Sequence, residues 1–105
     1  RYGGDEFLIC ITETNLEGAK LFAERLCEKI KNHHFKSGKD EIDLTASLGL
    51  ALTSPDVPVD AKELVRKADE YLYNAKKNGR NRVEVFDYNL QANGSVDFTQ
   101  IRKAN

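Results

Sequence analysis

The hydrophobic pattern of the chain begins with a short apolar run. Residues 7–12 are nearly continuous in apolar and β-branched side chains, which predicts a strand covered on both faces. Gly3 and Gly4 stand just before it and predict a tight hairpin turn, because glycine tolerates the positive φ angles such turns use. We therefore expect an earlier strand to pair with this one, of which only Arg1 and Tyr2 belong to the chain.

The next two elements differ in their period. Apolar side chains recur at helical spacing, with charged residues between them, and predict an amphipathic helix from Leu16 to His33. Thr14 and Glu17 form a Thr-x-x-Glu capping box at its start. Strict alternation over residues 42–52 then predicts a strand with one buried face. Gly49 within it indicates a bulge or a close approach by a neighbour.

A second helix and a final strand complete the pattern. Asp60 and Glu63 repeat the capping arrangement ahead of an amphipathic helix, which residues 78–79 end. Residues 82–86 predict a last strand, and the mixed, polar sequence from Asn89 onward is typical of a tail or linker. The order of turn, strand, helix, strand, helix and strand predicts an α+β fold in which two helices cover one sheet.

Composition narrows the class of protein. The 105 residues suit one domain, which we place at residues 1–88, followed by a tail or linker over residues 89–105. Lys and Arg number 16 and Asp and Glu 17, so the near-neutral charge argues against a nucleic-acid partner held through its phosphates. No apolar run approaches the length of a membrane span. Cys10 and Cys27 lie in apolar settings, which favours two buried thiols in a reducing cytoplasm.

The first candidate for chemistry is the glycine turn and the two acids that follow it. Gly3 and Gly4 would let a ligand approach backbone N–H groups, because no Cβ stands in the way. Asp5 and Glu6 offer the oxygen ligands that Mg²⁺ prefers. The alternative is a surface hairpin that uses glycine for its backbone and acids for solubility, and the chemistry of these residues alone slightly favours it.

The second candidate is a basic cluster around the Asn78–Gly79 helix end. It consists of Lys76, Lys77, Arg80 and Arg82. Cations at a helix C-terminus complement the helix dipole, each contributing about 0.3–1 kcal/mol, and this structural role explains the cluster without a ligand. The functional interpretation is a phosphate clamp, in which Lys76 supplies a point charge and Arg80 a bidentate fork.

Three motifs together carry a resemblance to a known family. Residues 1–7, Arg-Tyr-Gly-Gly-Asp-Glu-Phe, resemble the signature of the GGDEF family, the bacterial diguanylate cyclases. Residues 45–50 resemble the family's Ser-[Ile/Leu]-Gly strand, and residues 68–76 with 79–83 resemble its last helix and turn. Three ordered motifs over about residues 1–86 are far more specific than any one of them alone.

The resemblance implies a fold and an activity. The fold is an α+β sandwich of the nucleotide-cyclase or polymerase-palm kind, of which the chain holds the C-terminal portion and lacks the N-terminal part. Members condense two GTP molecules into cyclic di-GMP and pyrophosphate with Mg²⁺ or Mn²⁺. Each domain holds one GTP, so the resemblance implies a homodimer. It also implies a cytoplasmic domain that follows a sensor or receiver domain in a parent protein, which itself could be membrane-anchored.

The resemblance also assigns roles to individual residues. Asp5 matches the signature acid, a metal ligand that is also proposed to help deprotonate the attacking 3′-hydroxyl. Glu6 matches the neighbouring acid, which supports the metal and the geometry of the site. The remaining matched positions bind substrate: Gly3 and Gly4 in the turn beside the nucleotide, and Lys76 and Arg80 at the triphosphate.

Some of the family's functional parts precede the signature and are not in the chain. They include the first metal-binding Asp, in an Asp-x-Asp-x-Phe-Lys stretch, and the Asn and Asp that recognise guanine. The product-inhibition motif Arg-x-x-Asp also lies upstream, and Arg1 is not its arginine. We therefore expect the 105-residue chain to be inactive alone. The alternative function is a non-catalytic GGDEF domain that binds GTP or regulates, although the intact Asp5, Glu6, Lys76 and Arg80 favour an enzyme.

Overall fold

The structure is a computed structural model, and it describes residues 3–92. The elements in chain order are α1 (Leu16–Asn32), β1 (Phe35–Ser37), β2 (Asp40–Ile42), β3 (Leu48–Leu52), α2 (Ala61–Lys77), β4 (Val83–Asp87) and α3 (Tyr88–Ala92). The α+β class is therefore confirmed. Along residues 3–92, no helix has both the length and the apolar character needed to cross a membrane.

The centre of the fold is a β-α-β unit made of β3, α2 and β4. The two strands pair in parallel, from Leu48 opposite Val83 to Leu52 opposite Asp87. Parallel neighbours need a long crossover connection, and α2 provides it. The unit brings the end of α2 and the start of β4 to one edge of the sheet, where residues 78–82 form the connection.

The two faces of this sheet carry different helices. On one face, Ala23 and Cys27 of α1 pack against Val83 and Val85, with Leu48 and Leu50 beside them. Apolar side chains that leave water in this way supply the main favourable term in folding. The predicted helix over residues 16–33 is confirmed to within one residue.

On the other face, α2 approaches the backbone of β3 at Gly49. A Cβ at Gly49 would overlap the carbonyl oxygen of Ala68 and the backbone nitrogen of Leu72, and it would lie 2.8 Å from the Leu72 Cα. The predicted close approach by a neighbour is thus confirmed. Further along this face, the rings of Tyr71 and Phe86 lie 5.4 Å apart between centroids.

The two helix starts differ from the predicted capping boxes. α1 is capped by Asn15, whose Oδ1 accepts a hydrogen bond from the Gly18 amide at 2.8 Å, so the box assigned to Thr14 is wrong by one residue. The side chain of Asp60 makes no capping hydrogen bond at the start of α2. Its expected partner, Glu63, instead accepts hydrogen bonds from neighbouring side chains, which removes it from the cap.

The strand predicted at residues 7–12 is wrong. The segment forms no strand, and the side chains of Phe7, Leu8 and Ile9 are more than half exposed, at 72%, 53% and 56%. A strand needs a neighbour for its backbone N–H and C=O groups, and no segment within residues 3–92 pairs with this one. The apolar run therefore lacks the cover that the sequence pattern predicts. Cys10 within it is exposed, so of the two expected buried thiols only Cys27 is confirmed.

The strand predicted over residues 42–52 is divided in two. β2 ends at Ile42 and pairs with β1 in an antiparallel hairpin that the sequence analysis missed. The two-residue loop of this hairpin begins with Gly38 at φ 65°, the position that type II′ turns give to glycine. Leu44 lies between the strands and is 45% exposed, so alternation in this stretch does not mean burial.

The C-terminal elements follow the pattern more closely. β4 begins one residue later than predicted, and α2 ends at Lys77, just before Asn78. α3 occupies the start of the expected tail, where Ser54 donates a hydrogen bond to Asn89 at 2.7 Å. Residues 93–105 of the predicted tail lie outside the described residues.

Candidate functional site

The acidic part of the site is a tight turn. The backbone groups of Gly3 and Glu6 bond to each other in both directions, at 3.2 and 3.3 Å, which leaves Gly4 and Asp5 as the two turn residues. A turn at this place is confirmed, but no strand follows it and Gly4 does not take a left-handed φ, so the predicted hairpin is not formed within the described residues. A Cβ at Gly4 would meet nothing within 4 Å, so neither the backbone nor packing inside the described chain requires glycine there. Asp5 is exposed and Glu6 half-buried.

The basic part of the site is the C-terminus of α2. Asn78 caps the helix, Gly79 follows with φ 123°, and the Arg80 amide donates to the carbonyl of Ala75 at 2.8 Å. This bond closes a Schellman motif, in which a glycine just past the cap lets the chain reverse. Arg80 is exposed and has φ 61°, a conformation that non-glycine residues adopt only where their surroundings hold them.

A second set of contacts holds this turn from the side of β3. The Asn81 amide donates to the hydroxyl of Ser47 at 3.1 Å. The thiol of Cys27 lies 3.6 Å from the side-chain oxygen of Asn81 and 3.2 Å from the carbonyl of Ala46. Burial is the main reason that the pKa of this thiol is raised, so Cys27 stays a protonated donor. The sequence analysis missed the positioning role of these residues. Ser47 and Asn81 lie inside two of the family motifs, which is a signal for them, whereas Cys27 lies outside all three motifs.

One ion pair joins the two parts of the site. The ammonium of Lys76 lies 3.3 Å from a carboxylate oxygen of Glu6, although the two residues are 70 positions apart in the chain. Both side chains are about one-third exposed, so the pair contributes about 0.2–1 kcal/mol. Within residues 3–92, no hydrogen bond or ion pair joins the side chain of Asp5 or Arg80 to another predicted site side chain.

The acids provide a partial set of metal ligands. No group of three or more His, Cys, Asp or Glu side chains in the described part of the chain could hold a metal ion. Mg²⁺ often takes only one or two carboxylates and completes its coordination with water and substrate phosphates. Asp5 and Glu6 are oxygen donors of that kind, so the residues present fit such an ion when a phosphate ligand accompanies it.

A family model and individual relatives match this chain and point to the same family. The family model described as diguanylate cyclase, GGDEF domain, matches residues 1–82. Diguanylate cyclase A of Treponema denticola is 36% identical over 90 residues, which cover 86% of this chain and 24% of that protein. Diguanylate cyclase DgcZ of Escherichia coli is 33% identical over 87 residues, 83% of this chain and 29% of that protein.

A third relative is named as a response regulator and not as a diguanylate cyclase. Response regulator PleD of Caulobacter vibrioides is 36% identical over 87 residues, which cover 79% of this chain and 18% of that protein. The chain thus spans less than a third of the length of each of these three relatives. The matched region includes both the acidic turn and the C-terminus of α2.

Proposed function

Because the chain belongs to the GGDEF family of diguanylate cyclases, we propose that its parent protein condenses two GTP molecules into cyclic di-GMP and pyrophosphate. The observation that carries this proposal is the contact between Glu6 and Lys76. It brings an acidic turn suited to a metal ion next to a basic helix end suited to phosphates, as phosphoryl transfer requires.

Each residue of the site has a distinct part in the proposed reaction. Asp5 and Glu6 would hold Mg²⁺ or Mn²⁺, which when bound neutralises phosphate charge and makes the attacking 3′-hydroxyl more acidic. The exposed carboxylate of Asp5 accepts the proton of that hydroxyl. Lys76 and Arg80 offset the negative charge of the triphosphate and of the departing pyrophosphate.

The turn glycines and the ion pair explain how the substrate enters. Gly4 is exposed, and no atom lies within 4 Å of where its Cβ would be, so a nucleotide would have room to lie against the turn. In the absence of substrate, Lys76 is held by Glu6. A metal ion at Glu6 would repel the ammonium, and the incoming phosphates would attract it, so substrate binding exchanges one partner of Lys76 for another.

The reaction also implies partners. Each proposed site holds a single GTP, so formation of two new phosphodiester bonds requires a second copy of the domain facing the first. The parent protein is thus proposed to act as a homodimer, with GTP and no nucleic acid as its partner. The similarity to a response regulator supports a regulatory domain elsewhere in the parent, and the need for GTP supports a cytoplasmic site.

Incubation of the full-length protein with GTP and Mg²⁺, followed by chromatography, tests the proposal. We expect cyclic di-GMP from the wild type and at least a hundredfold less from Asp5→Asn, because the metal ligand and the proton acceptor are lost together (about 10²–10⁴-fold for such groups). Asp43→Asn, at an exposed position between β2 and β3, is the matched control and keeps wild-type turnover.

The other outcomes separate the alternatives. Undiminished product from Asp5→Asn would overturn the proposed role of the turn. Binding of GTP without product in the wild type would instead favour a regulatory, non-catalytic module. The 105-residue chain is a further arm of the same assay, for which the family resemblance predicts no product.

A further inference from the structure

A buried carboxylate lies next to the turn that carries Arg80. Glu84, in β4, is fully buried, and it is the largest such side chain in the described part of the chain. The sequence analysis did not single it out, although a Glu between Val83 and Val85 interrupts an otherwise apolar stretch. A carboxylate in this position is costly to remove from water, so its contacts need to be accounted for.

Those contacts link the two ends of the turn. One carboxylate oxygen of Glu84 accepts a hydrogen bond from the side-chain amide of Asn78 at 3.2 Å. The same oxygen lies 3.3 Å from Nε of Arg82, whose guanidinium also donates to the backbone carbonyl of Asn78. The side chains of Asn78, Arg82 and Glu84 therefore connect the end of α2 to the start of β4 across residues 79–81.

The backbone between these two anchors is unusual. Gly79, Arg80 and Asn81 follow one another with φ angles of 123°, 61° and 50°. Two of the three carry a side chain, and such residues stay in the left-handed region only when neighbouring groups fix them. The hydrogen bond from Asn78 and the ion pair with Arg82 place Glu84 at both ends of this segment.

A charge is not needed merely to fill this position. The C-terminal end of a helix carries a partial negative charge, which repels a carboxylate placed beside it. An apolar side chain of similar volume would often be neutral or favourable in a buried strand. The presence of Glu84 is better explained by the groups it orients than by stability of the strand.

We propose that Glu84 is a positioning residue. It keeps the turn of residues 78–82 in the conformation described above and thereby holds Arg80 in a fixed place relative to Lys76. The inference rests on the proposed function for the identity of the ligand, a nucleoside triphosphate whose phosphates both cations contact. Glu84 itself is buried and acts through Asn78 and Arg82.

Amide hydrogen exchange in the full-length protein tests whether Glu84 fixes the turn. The amides of Arg80 and Asn81 are both hydrogen-bond donors, so Glu84→Met should speed their exchange by about tenfold, whereas exchange in the middle of α2 stays unchanged. Phe86→Leu is the matched control, because Phe86 lies on the same face of β4 and contacts Tyr71. Unchanged exchange in Glu84→Met would overturn the proposal.

The affinity for GTP tests whether the turn serves the ligand. We expect Glu84→Met to weaken GTP binding about tenfold and to leave GMP binding unchanged, because the cations contact the outer phosphates. The loss should disappear when Arg80→Ala is already present, which a merely structural role would not produce. Glu84→Gln keeps an oxygen for Asn78 and Arg82 and should restore most of the affinity. If Glu84→Met fails to fold, Asn78→Ala, which removes the amide that donates to Glu84, takes its place in both experiments.

The two experiments separate this inference from the function it rests on. If the wild type does not bind GTP, the proposed function and the ligand part of the inference fail together, while hydrogen exchange still decides whether Glu84 fixes the turn. If GTP binds and the effects of Glu84→Met and Arg80→Ala are additive, the proposed function stands and the positioning role is overturned.

Discussion

The two halves of the site are held in different ways. The basic half sits at the end of α2, which packs directly on the sheet, with Ala75 fully buried one position before Lys76. The acidic half sits in a two-residue turn followed by an apolar segment whose first three side chains are more than half exposed. Packing thus positions the end of α2 that carries Lys76, whereas local backbone bonds and one ion pair position the acids. The basic half is the more rigid part of the site, because buried contacts are harder to rearrange than exposed ones.

The largest effect should come from breaking the packing of the basic half. Gly49→Ala places a Cβ against the backbone of α2, which cannot move aside as a side chain can, so we expect the free energy of unfolding to fall by about 3 kcal/mol. Urea denaturation of the chain measures it. Gly4→Ala is the control, since a Cβ there meets nothing within 4 Å, and its effect should stay within about 0.5 kcal/mol. Equal losses would refute the contrast between the halves.

A second pair of variants compares apolar side chains in the two regions. Val85 is 4% exposed and Phe7 is 72% exposed. Val85→Ala should lower the free energy of unfolding by about 2 kcal/mol, because two buried methyl groups are lost and a cavity is left. Phe7→Ala should change it by less than about 0.5 kcal/mol in the same urea titration. A large loss for Phe7→Ala would show that the segment is packed in solution.

How far the sequence could predict this arrangement depends on the range of the forces involved. Helical periodicity and the Gly79 stop signal are local, and they place α1 and α2 to within a few residues. The acidic turn is also local, since the residues that form it are neighbours in the chain, and the sequence predicts a turn there. The exposure of residues 7–12 depends on cover from distant parts of the chain. The contacts of Glu84 with Asn78 and Arg82 span only six and two positions, but they depend on how α2 and β4 pack together, which a periodic pattern does not encode either.

The ion pair between the halves should give a smaller effect. A double-mutant cycle with Glu6→Gln and Lys76→Met should show a coupling energy of about 0.2–1 kcal/mol, because both side chains are partly exposed. Raising the salt concentration should reduce the coupling, since exposed charges are screened. A coupling near zero at low salt would mean that the acidic turn is held without help from the basic half.

The smallest effect concerns acid stability at the outer side of α2. A hydrogen bond from Arg66, and to a smaller extent one from Tyr88, lowers the pKa of Glu63 to about 2. A carboxyl group whose pKa is lower in the folded state stabilises the fold above its unfolded pKa, near 4.5, and loses that contribution as the pH falls toward 2. The stability difference between wild type and Glu63→Gln should therefore shrink over this range.

Urea denaturation at several pH values measures this difference. Tyr88→Phe keeps the main partner, Arg66, and should retain most of the pH dependence of the wild type. A difference between wild type and Glu63→Gln that stays constant from pH 4.5 to 2 would contradict the lowered pKa of Glu63. Because the side chains of Glu63 and Arg66 are 39% and 59% exposed, solvent screens their interaction, and we expect the change to be the smallest of the four.

The contact at Gly49 has a consequence for how the protein tolerates change. At this point the separation of α2 from the sheet is set by main-chain atoms, which every sequence shares, and the volume of a side chain has no part in it. Substitutions elsewhere in the core then leave this main-chain contact at Ala68 and Leu72, one turn before Lys76, unchanged in kind. As long as position 49 remains glycine, the distance between α2 and the sheet at this contact does not depend on which side chains fill the rest of the core.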